Sequence, residues 1–287
     1  MKNSSLVEQS KIHGTEQTNT GAYSHLFLLL TVLLLVVLAG VVFNDGGVTL
    51  FGCIYFSIGY ILVFIFVQSS GRKRAVRLFI WAFTIRLLCM MVYMYYQGQV
   101  VGGYFIGLQN DDRAVWATSL EYSADISPVV WTHYFINWRD YGAIFKVASA
   151  LYCFVIQNRL AMLLGFEPSV LYLLLGNILI GSLCIPVAYN ISTRYFRSSV
   201  AWLSGKLLCF FPGAIFLSIV LLRDIWILLI ILLFTHMFLG RKYVLTGLCV
   251  VLGALFRYRL FSIFIFIIVN YYLFYLLFVR KKRGVAS

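Results

Sequence analysis

The chain has 287 residues, of which 62% are apolar or aromatic and 11% are charged, and its formal net charge is +13. Soluble domains carry about 25% charged residues, so this composition excludes an ordinary water-soluble protein. It also excludes nucleic-acid binding as the reason for the positive charge, because Lys and Arg are dispersed between apolar runs. We therefore predict an all-α, polytopic membrane protein.

The elements follow one another in a regular order along the chain. Residues 1–25 are polar and carry both charge signs, which predicts a disordered cytoplasmic tail. Eight apolar runs are predicted to cross a hydrocarbon layer of about 30 Å; they are 26–43, 49–68, 78–97, 169–190, 201–222, 225–239, 243–256 and 260–279. The predicted order is a tail (1–25), three spans (26–97), an extracytoplasmic loop (98–168), five further spans (169–279) and a basic cytoplasmic segment (280–287).

Basic residues predict the orientation of these spans, since short cytoplasmic connections hold most of the Lys and Arg. One set of alternating segments holds 14 of the 23 basic residues: Lys2, Lys11, Arg72, Lys73, Arg74, Arg77, Arg194, Arg197, Arg241, Lys242, Arg280, Lys281, Lys282 and Arg283. Both termini are therefore predicted to be cytoplasmic, with the protein in the plasma (inner) membrane.

The stretch 143–164 is long enough to span but is interpreted as an in-plane helix. Lys146, Ser149, Cys153 and Gln157 recur at helical spacing and form a polar stripe, which suits an interface or a wet cavity. A single crossing here would also move the next basic loop to the outer side. The alternative, in which the stretch does span, remains open.

The predicted extracytoplasmic loop, 98–168, contains six of the ten acidic residues: Asp111, Asp112, Glu121, Asp125, Asp140 and Glu167. Asp111 and Asp112 are adjacent, just outside the third span and near the start of a predicted helix. A carboxylate kept ionised by the helix dipole can act as a general base or bind a divalent cation. The structural alternative is that Asp111 caps the helix and Asp112 is solvated.

Two further strings lie at the same predicted membrane face, Arg223-Asp224 and Arg257-Tyr258-Arg259. Charged residues at this depth are functional candidates, and guanidinium groups match phosphate oxygens. The structural alternatives are a hairpin corner, in which Asp224 caps the next helix, and arginines that extend to the interface.

Arg86 lies near the middle of the third span, where insertion costs about 2.5–3.5 kcal/mol. It therefore requires a partner, such as a bound anion. Lys206 and His236 lie closer to span ends and are predicted to reach the interface.

The order of these strings resembles the membrane glycosyltransferases of the GT-C superfamily, the mannosyltransferase-like group that uses polyprenyl-phosphate sugars. The resemblance covers roughly residues 100–265, and it rests on Asn110-Asp111-Asp112, Leu175 to Leu183, Thr193-Arg194-Tyr195-Phe196, Phe211 to Ser218 with Asp224, and Leu255-Phe256-Arg257. Two spans more than usual precede the acidic motif, and the chain appears short at its C-terminus, since full-length members continue with more spans.

The resemblance implies transfer of a sugar from a polyprenyl-phosphate donor to a glycan, lipid or protein acceptor outside the cytoplasm, in envelope or exopolysaccharide assembly. The donor phosphate would be held by Arg257, Arg259 or Arg223, with Arg86 and Asp224 as further substrate-binding candidates. Asp111 or Asp112 would deprotonate the acceptor or hold a divalent cation, Mg²⁺ or Mn²⁺.

Three other functions stay open at this stage. A polysaccharide polymerase-like protein also needs outer-face arginines and a large loop. A transporter or flippase of a lipid-linked or anionic substrate would use Arg86 and Lys206 along its path. A nonenzymatic scaffold, or a chain completed by other membrane subunits, would use none of the three strings for chemistry.

Overall fold

The computed structural model describes residues 26–67, 71–100, 116, 119–120, 123, 154–221, 224–256 and 258–274. Within these residues all regular secondary structure is helical, as predicted. The helices are α1 Leu26–Val42, α2 Gly46–Phe66, α3 Arg72–Val100, α4 at 154–163, α5 Val170–Ser192, α6 Ser198–Cys209, α7 Pro212–Ile219, α8 Asp224–Leu239, α9 Tyr243–Phe256 and α10 Tyr258–Phe274.

Three of these helices are long and apolar enough to cross a membrane, namely α2, α3 and α5. A fourth span is possible if α6 and α7 count as one element, because the two are bent by 49° at a short break before Pro212. The apolar helices α1, α8, α9 and α10 are 17 residues or shorter over their apolar parts. Since a straight span needs about 20 residues, the eight-span arrangement remains a prediction.

The helix α5 lies at the centre of the bundle. Every residue in its most apolar 18-residue window is buried, and α2, α3, α6, α7 and α8 all pack against it. By contrast, α1 leaves large apolar side chains such as Phe27, Leu34 and Val41 exposed. A helix that is apolar on every side needs apolar surroundings on every side, and for α5 its neighbouring helices provide them.

Hydrogen bonds between α2 and α5 fix their relative direction. The Tyr172 hydroxyl donates to the carboxylate of Asp45, 2.9 Å from Oδ1, and Asp45 in turn caps the first turn of α2 through the backbone N–H of Gly47. At the other end, Asn190 Nδ2 donates to the carbonyl of Phe66 at 3.0 Å. The two helices are therefore parallel, with their first residues at one end of the bundle and their last residues at the other.

The end at which α2 and α5 finish collects basic residues from three connections, and we refer to it as the basic end (residues 66–77, 189–198 and 236–242). Arg74 Nη1 donates to Ser198 Oγ, which joins the start of α3 to the start of α6. Arg194 Nη2 lies 3.3 Å from His236 Nδ1, which brings the last turn of α8 to the same place. The basic connections at 72–77, 194–197 and 241–242 are thus grouped at one end, as the positive-inside pattern requires.

The opposite end, which we call the Asp45 end, receives both flanks of the predicted extracytoplasmic loop. The helix α3 starts at the basic end and α5 starts beside Asp45, so the chain between them leaves and re-enters at the same end. This arrangement agrees with the in-plane interpretation of 143–164, which stays a prediction because residues 143–153 lie outside the described residues. Most of the predicted loop, with Lys146, Ser149 and Cys153, lies outside the described residues.

The described part of 143–164, helix α4, packs inside the bundle. Gln157 is buried, its Oε1 accepts a hydrogen bond from the Tyr55 hydroxyl at 2.9 Å, and a Cβ at Gly176 would come within 2.1 Å of the same oxygen. The sequence predicts that Gln157, as part of the polar stripe, faces an interface or a wet cavity. In the structure this side chain is buried against α2 and α5. The reason is that Gly176 leaves space for the amide and Tyr55 supplies its donor.

We predict that Tyr172→Phe destabilises the protein by about 1.5–3 kcal/mol, the range for a hydrogen bond to a charged group. The substitution removes the hydroxyl that joins α5 to the Asp45 cap of α2, while the ring can still stack on Phe51 at 4.6 Å. Unfolding of the purified protein in detergent measures the effect. Tyr60→Phe is the control, since its hydroxyl has no hydrogen bond within the described residues. Equal stability of the two variants would contradict the prediction.

Candidate anion-binding site

The most unusual polar group inside the bundle is the guanidinium of Arg86, which α3 places against α5 and α7. The Arg86 side chain has 0% exposed surface, yet its charge lies on a helix that qualifies as a membrane span. Nε donates to Ser218 Oγ at 3.1 Å, and Nη1 donates to the carbonyl of Ala82 at 3.1 Å. Nη2 has no hydrogen-bond partner among the described residues.

No carboxylate of the described residues pairs with Arg86. The ionisable groups that interact with it electrostatically are the thiols of Cys89, Cys184 and Cys209, which come from α3, α5 and α6. A buried charge is strongly unfavourable unless an opposite charge or several hydrogen bonds compensate it. The site is therefore positively charged, incompletely hydrogen-bonded and suited to an anion.

Small residues allow α5 and α7 to approach Arg86 closely. A Cβ at Gly181 would lie 2.1 Å from Ser218 Oγ and 3.1 Å from Arg86 Nε, so only glycine is compatible with this packing. Ser218 Oγ donates to the carbonyl of Ala214 at 2.6 Å, which directs its lone pairs outward to accept from Arg86. Gly181 and Ser218 thus hold the guanidinium in one position. Next to Gly181, the buried hydroxyl of Ser182 has no partner either.

The site continues from Ser218 to the connection between α7 and α8. Two residues after Ser218, the carbonyl of Val220 accepts from Asn177 Nδ2 at 2.8 Å, and Asn177 Oδ1 accepts from Trp226 Nε1 at 2.8 Å. Trp226 in turn stacks on Phe256 with ring centroids 6.3 Å apart. The structure therefore places Trp226 against Phe256, and Asn177 joins Trp226 to the Val220 carbonyl, two residues after Ser218.

The other predicted site residues fall into two groups. Asp111, Asp112, Arg223 and Arg257 lie outside the described residues, so their predicted roles stay predictions. Asp224 is partly buried at the first position of α8, and Arg259 is exposed near the start of α10. Groups of three or more His, Cys, Asp or Glu that could hold a metal do not occur among the described residues.

Lys206 and His236 make contacts that the sequence does not predict, while their position relative to the interface stays a prediction. Lys206 Nζ lies 5.2 Å from the ring of Trp202 and 5.7 Å from that of Trp81, which is cation–π geometry. His236 is buried and contacts Arg194. Both side chains thus bind to neighbouring helices and stabilise the packing of α3, α5, α6 and α8.

Gly181, Ser218 and Asn177 are the site residues that sequence reasoning missed. Gly181, Asn177 and Ser218 do occur in the strings that resemble the transferase family, but nothing in those strings relates them to Arg86. Arg86 and Ser218 are 132 positions apart. Only the packing of α3 against α7 reveals the contact.

Comparison with known proteins adds no further assignment. No family model, no curated protein and no solved structure matches this chain. The functional argument therefore rests on the residues and their geometry.

We predict that Arg86→Met leaves the stability of the protein unchanged or raises it, while Asn177→Leu lowers it by about 1–3 kcal/mol for each polar group left unpaired. Methionine removes a buried charge and orphans no group, since Ser218 still donates to Ala214. Leucine at 177 leaves the Val220 carbonyl and the Trp226 indole N–H without partners.

Unfolding in detergent of the two variants and of the parent protein tests this contrast. Both substitutions replace a buried polar side chain by an apolar one, so each serves as the control for the other. A marked loss of stability in Arg86→Met would indicate that Arg86 is structural, and would contradict its assignment as a ligand-binding residue.

Proposed function

We propose that this chain is an integral-membrane glycosyltransferase that moves a sugar from a polyprenyl-phosphate donor to an extracytoplasmic acceptor in envelope or exopolysaccharide assembly. The observation that carries the proposal is the buried Arg86 guanidinium, which lacks a carboxylate partner among the described residues and donates to Ser218, two residues before the carbonyl that Asn177 binds. A substrate that presents a phosphate within the bilayer supplies the missing negative charge.

The proposal assigns a chemical role to each candidate residue. Arg223, Arg257 and Arg259 attract the donor phosphate at the membrane face, where a guanidinium matches phosphate oxygens, and Arg86 binds it within the bundle and neutralises the leaving group. Asp111 or Asp112 deprotonates the acceptor hydroxyl, or the pair holds Mg²⁺ or Mn²⁺ that activates it. The acceptor oxygen then attacks the anomeric carbon as the bond to the phosphate oxygen breaks, so that the configuration is inverted.

The proposal includes an orientation. Eight spans place both termini and the basic end in the cytoplasm, and the Asp45 end with the loop 98–168 outside, in the plasma (inner) membrane. Grouping of basic residues at one end of the bundle supports this orientation through the positive-inside rule. Reporter fusions at positions 45 and 196 would report opposite sides.

A transporter or flippase of a lipid-linked or anionic substrate is the second candidate. The position of Arg86 favours it, because this charge lies within the bundle on a helix that can span the membrane. The bend of 49° between α6 and α7, next to Arg86, also suits an element that moves during transport. A polymerase-like protein shares the outer-face arginines but does not need Asp111 and Asp112.

We predict that Asp111→Asn and Asp112→Asn each lower sugar transfer by about a hundredfold or more, in line with the loss of a general base. The assay measures incorporation of sugar from a polyprenyl-phosphate donor into lipid-linked or polymeric product, with membranes that hold equal amounts of each variant. Arg257→Ala is expected to reduce the same signal by weaker phosphate binding.

The control is Asn270→Asp, which makes the reverse exchange of amide for carboxylate at an exposed residue of α10 that has no role in the proposal. Product formation that is equal in the parent, the acid variants and empty membranes would remove the transferase proposal for these donors. Full transfer activity in both acid variants would remove their catalytic role. Loss of lipid flipping in Arg86→Met, without any transfer activity in the parent, would favour the transporter.

A further inference from the structure

The number of charges around Arg86 limits which phosphate the site can bind. Arg86 contributes one positive charge, and the groups that interact with it electrostatically within the described residues are the thiols of Cys89, Cys184 and Cys209. Among the described residues, the hydrogen bonds of Arg86 and Ser218 and the close approach of Gly181 involve no second Lys or Arg. The described site thus balances one negative charge.

The geometry of the guanidinium limits the ligand further. Nε and Nη1 are held by Ser218 Oγ and the Ala82 carbonyl, while Nη2, which carries two N–H groups, has no partner. Because the side chain has no exposed surface, water from the bulk does not compensate for this nitrogen. A ligand oxygen that reaches Nη2 gains a charge-assisted hydrogen bond at a guanidinium that is already positioned.

Phosphate esters differ in charge in a way that matters at such a site. A phosphodiester carries one negative charge, whereas a phosphomonoester carries close to two at neutral pH because its second pKa is about 6. The cost of removing an ion from water grows with the square of its charge, while attraction to a single guanidinium grows only linearly. A dianion would therefore leave one uncompensated charge inside the bundle.

We infer that Arg86, positioned by Ser218 and by the close approach of Gly181, forms an intramembrane site that selects the singly charged phosphodiester of a lipid-linked sugar over the corresponding phosphomonoester. The inference rests on the proposed function for the presence of a lipid-linked phosphate in the bundle. It deepens that proposal, because the donor is a phosphodiester and the lipid product left after transfer is a monoester. Loss of the sugar then weakens binding and favours product release.

The test is equilibrium binding to the purified full chain in nanodiscs, with three probes. They are glucosyl farnesyl phosphate, a lipid-linked diester; farnesyl phosphate, the lipid monoester; and dimethyl phosphate, a water-soluble diester. We expect the lipid diester to bind at least about tenfold more tightly to the parent than to Arg86→Met. We expect its affinity to be the same at about pH 5.5 and about pH 7.5, while the monoester binds several-fold more tightly at the lower pH, where it carries one charge.

Two variants control for general effects of charge and packing. Arg197→Met makes the same chemical change at an exposed arginine of the basic end and should bind like the parent. Gly181→Ala retains the charge but places a Cβ against Ser218 and Arg86, so it should weaken binding of the diester if the position of the guanidinium matters. This second variant keeps the inference testable if Arg86→Met does not fold.

The outcomes separate the inference from the proposed function. Equal affinity of the parent and Arg86→Met for the lipid diester, or monoester binding at about pH 7.5 that matches diester binding, overturns the inference. If dimethyl phosphate binds as tightly as the lipid diester, the site binds soluble anions. This result overturns the assignment of a lipid-linked phosphate as its ligand. Binding that depends on Arg86, without any sugar transfer, supports the inference and contradicts the proposed transferase activity. Sugar transfer that is unchanged in Arg86→Met supports the transferase activity and contradicts the inference.

Discussion

Polar groups buried inside this bundle are shielded from bulk solvent, so the hydrogen bonds that they make with each other determine how the helices are arranged. The Tyr172 hydroxyl reaches the Asp45 carboxylate, Asn190 reaches the Phe66 carbonyl, and Tyr55 reaches Gln157. Each pair joins two different helices. In a hydrocarbon medium an unpaired polar group costs several kcal/mol, so these contacts exclude helix arrangements that apolar packing alone would tolerate.

Arg86, Ser182 and Asn158 depart from this pattern. Each is fully buried, and each has a polar atom without a hydrogen-bond partner in the part of the chain that the structure describes. A protein that needed only stability would place apolar residues at such positions, because a buried charge is seldom a net gain. A buried charge with an unsatisfied polar atom calls for an explanation such as a bound ligand, and Arg86 is the charged one of these three residues, which is the physical basis for the function proposed at Arg86.

The end of α7 at Ile219 places this site close to the connection between α7 and α8. Because α7 ends at Ile219, the Val220 carbonyl has no helical partner and is satisfied instead by Asn177, whose second polar atom holds Trp226. Ser218 contacts Arg86 on the same short helix. A ligand that displaces α7 would therefore affect the guanidinium and the connection to α8 together, which couples the buried site to the residues around 221–226.

Particular residues show how far the sequence alone could lead. Composition and the lengths of the apolar runs predicted helices and a membrane environment, because the hydrocarbon layer demands apolar surfaces and internal backbone hydrogen bonds. The charge of Arg86 in an apolar run was sufficient to mark it as anomalous. The grouping of Arg74, Arg194 and Lys242 followed from charge asymmetry between connections, and their helices do end at the same side of the bundle.

The sequence could not reveal that α5 is central while α1 faces outward. Both helices are apolar on every side, and lipid and protein interior offer the same apolar environment, so no periodic pattern distinguishes them. Nor could it relate Arg86 to Ser218 or Asn177 to Trp226, because contacts over such separations depend on which helices pack. The sequence by itself thus determined the helices, their medium and the anomalous charge, whereas only the tertiary structure decided which groups surround that charge, since close packing brings distant residues together.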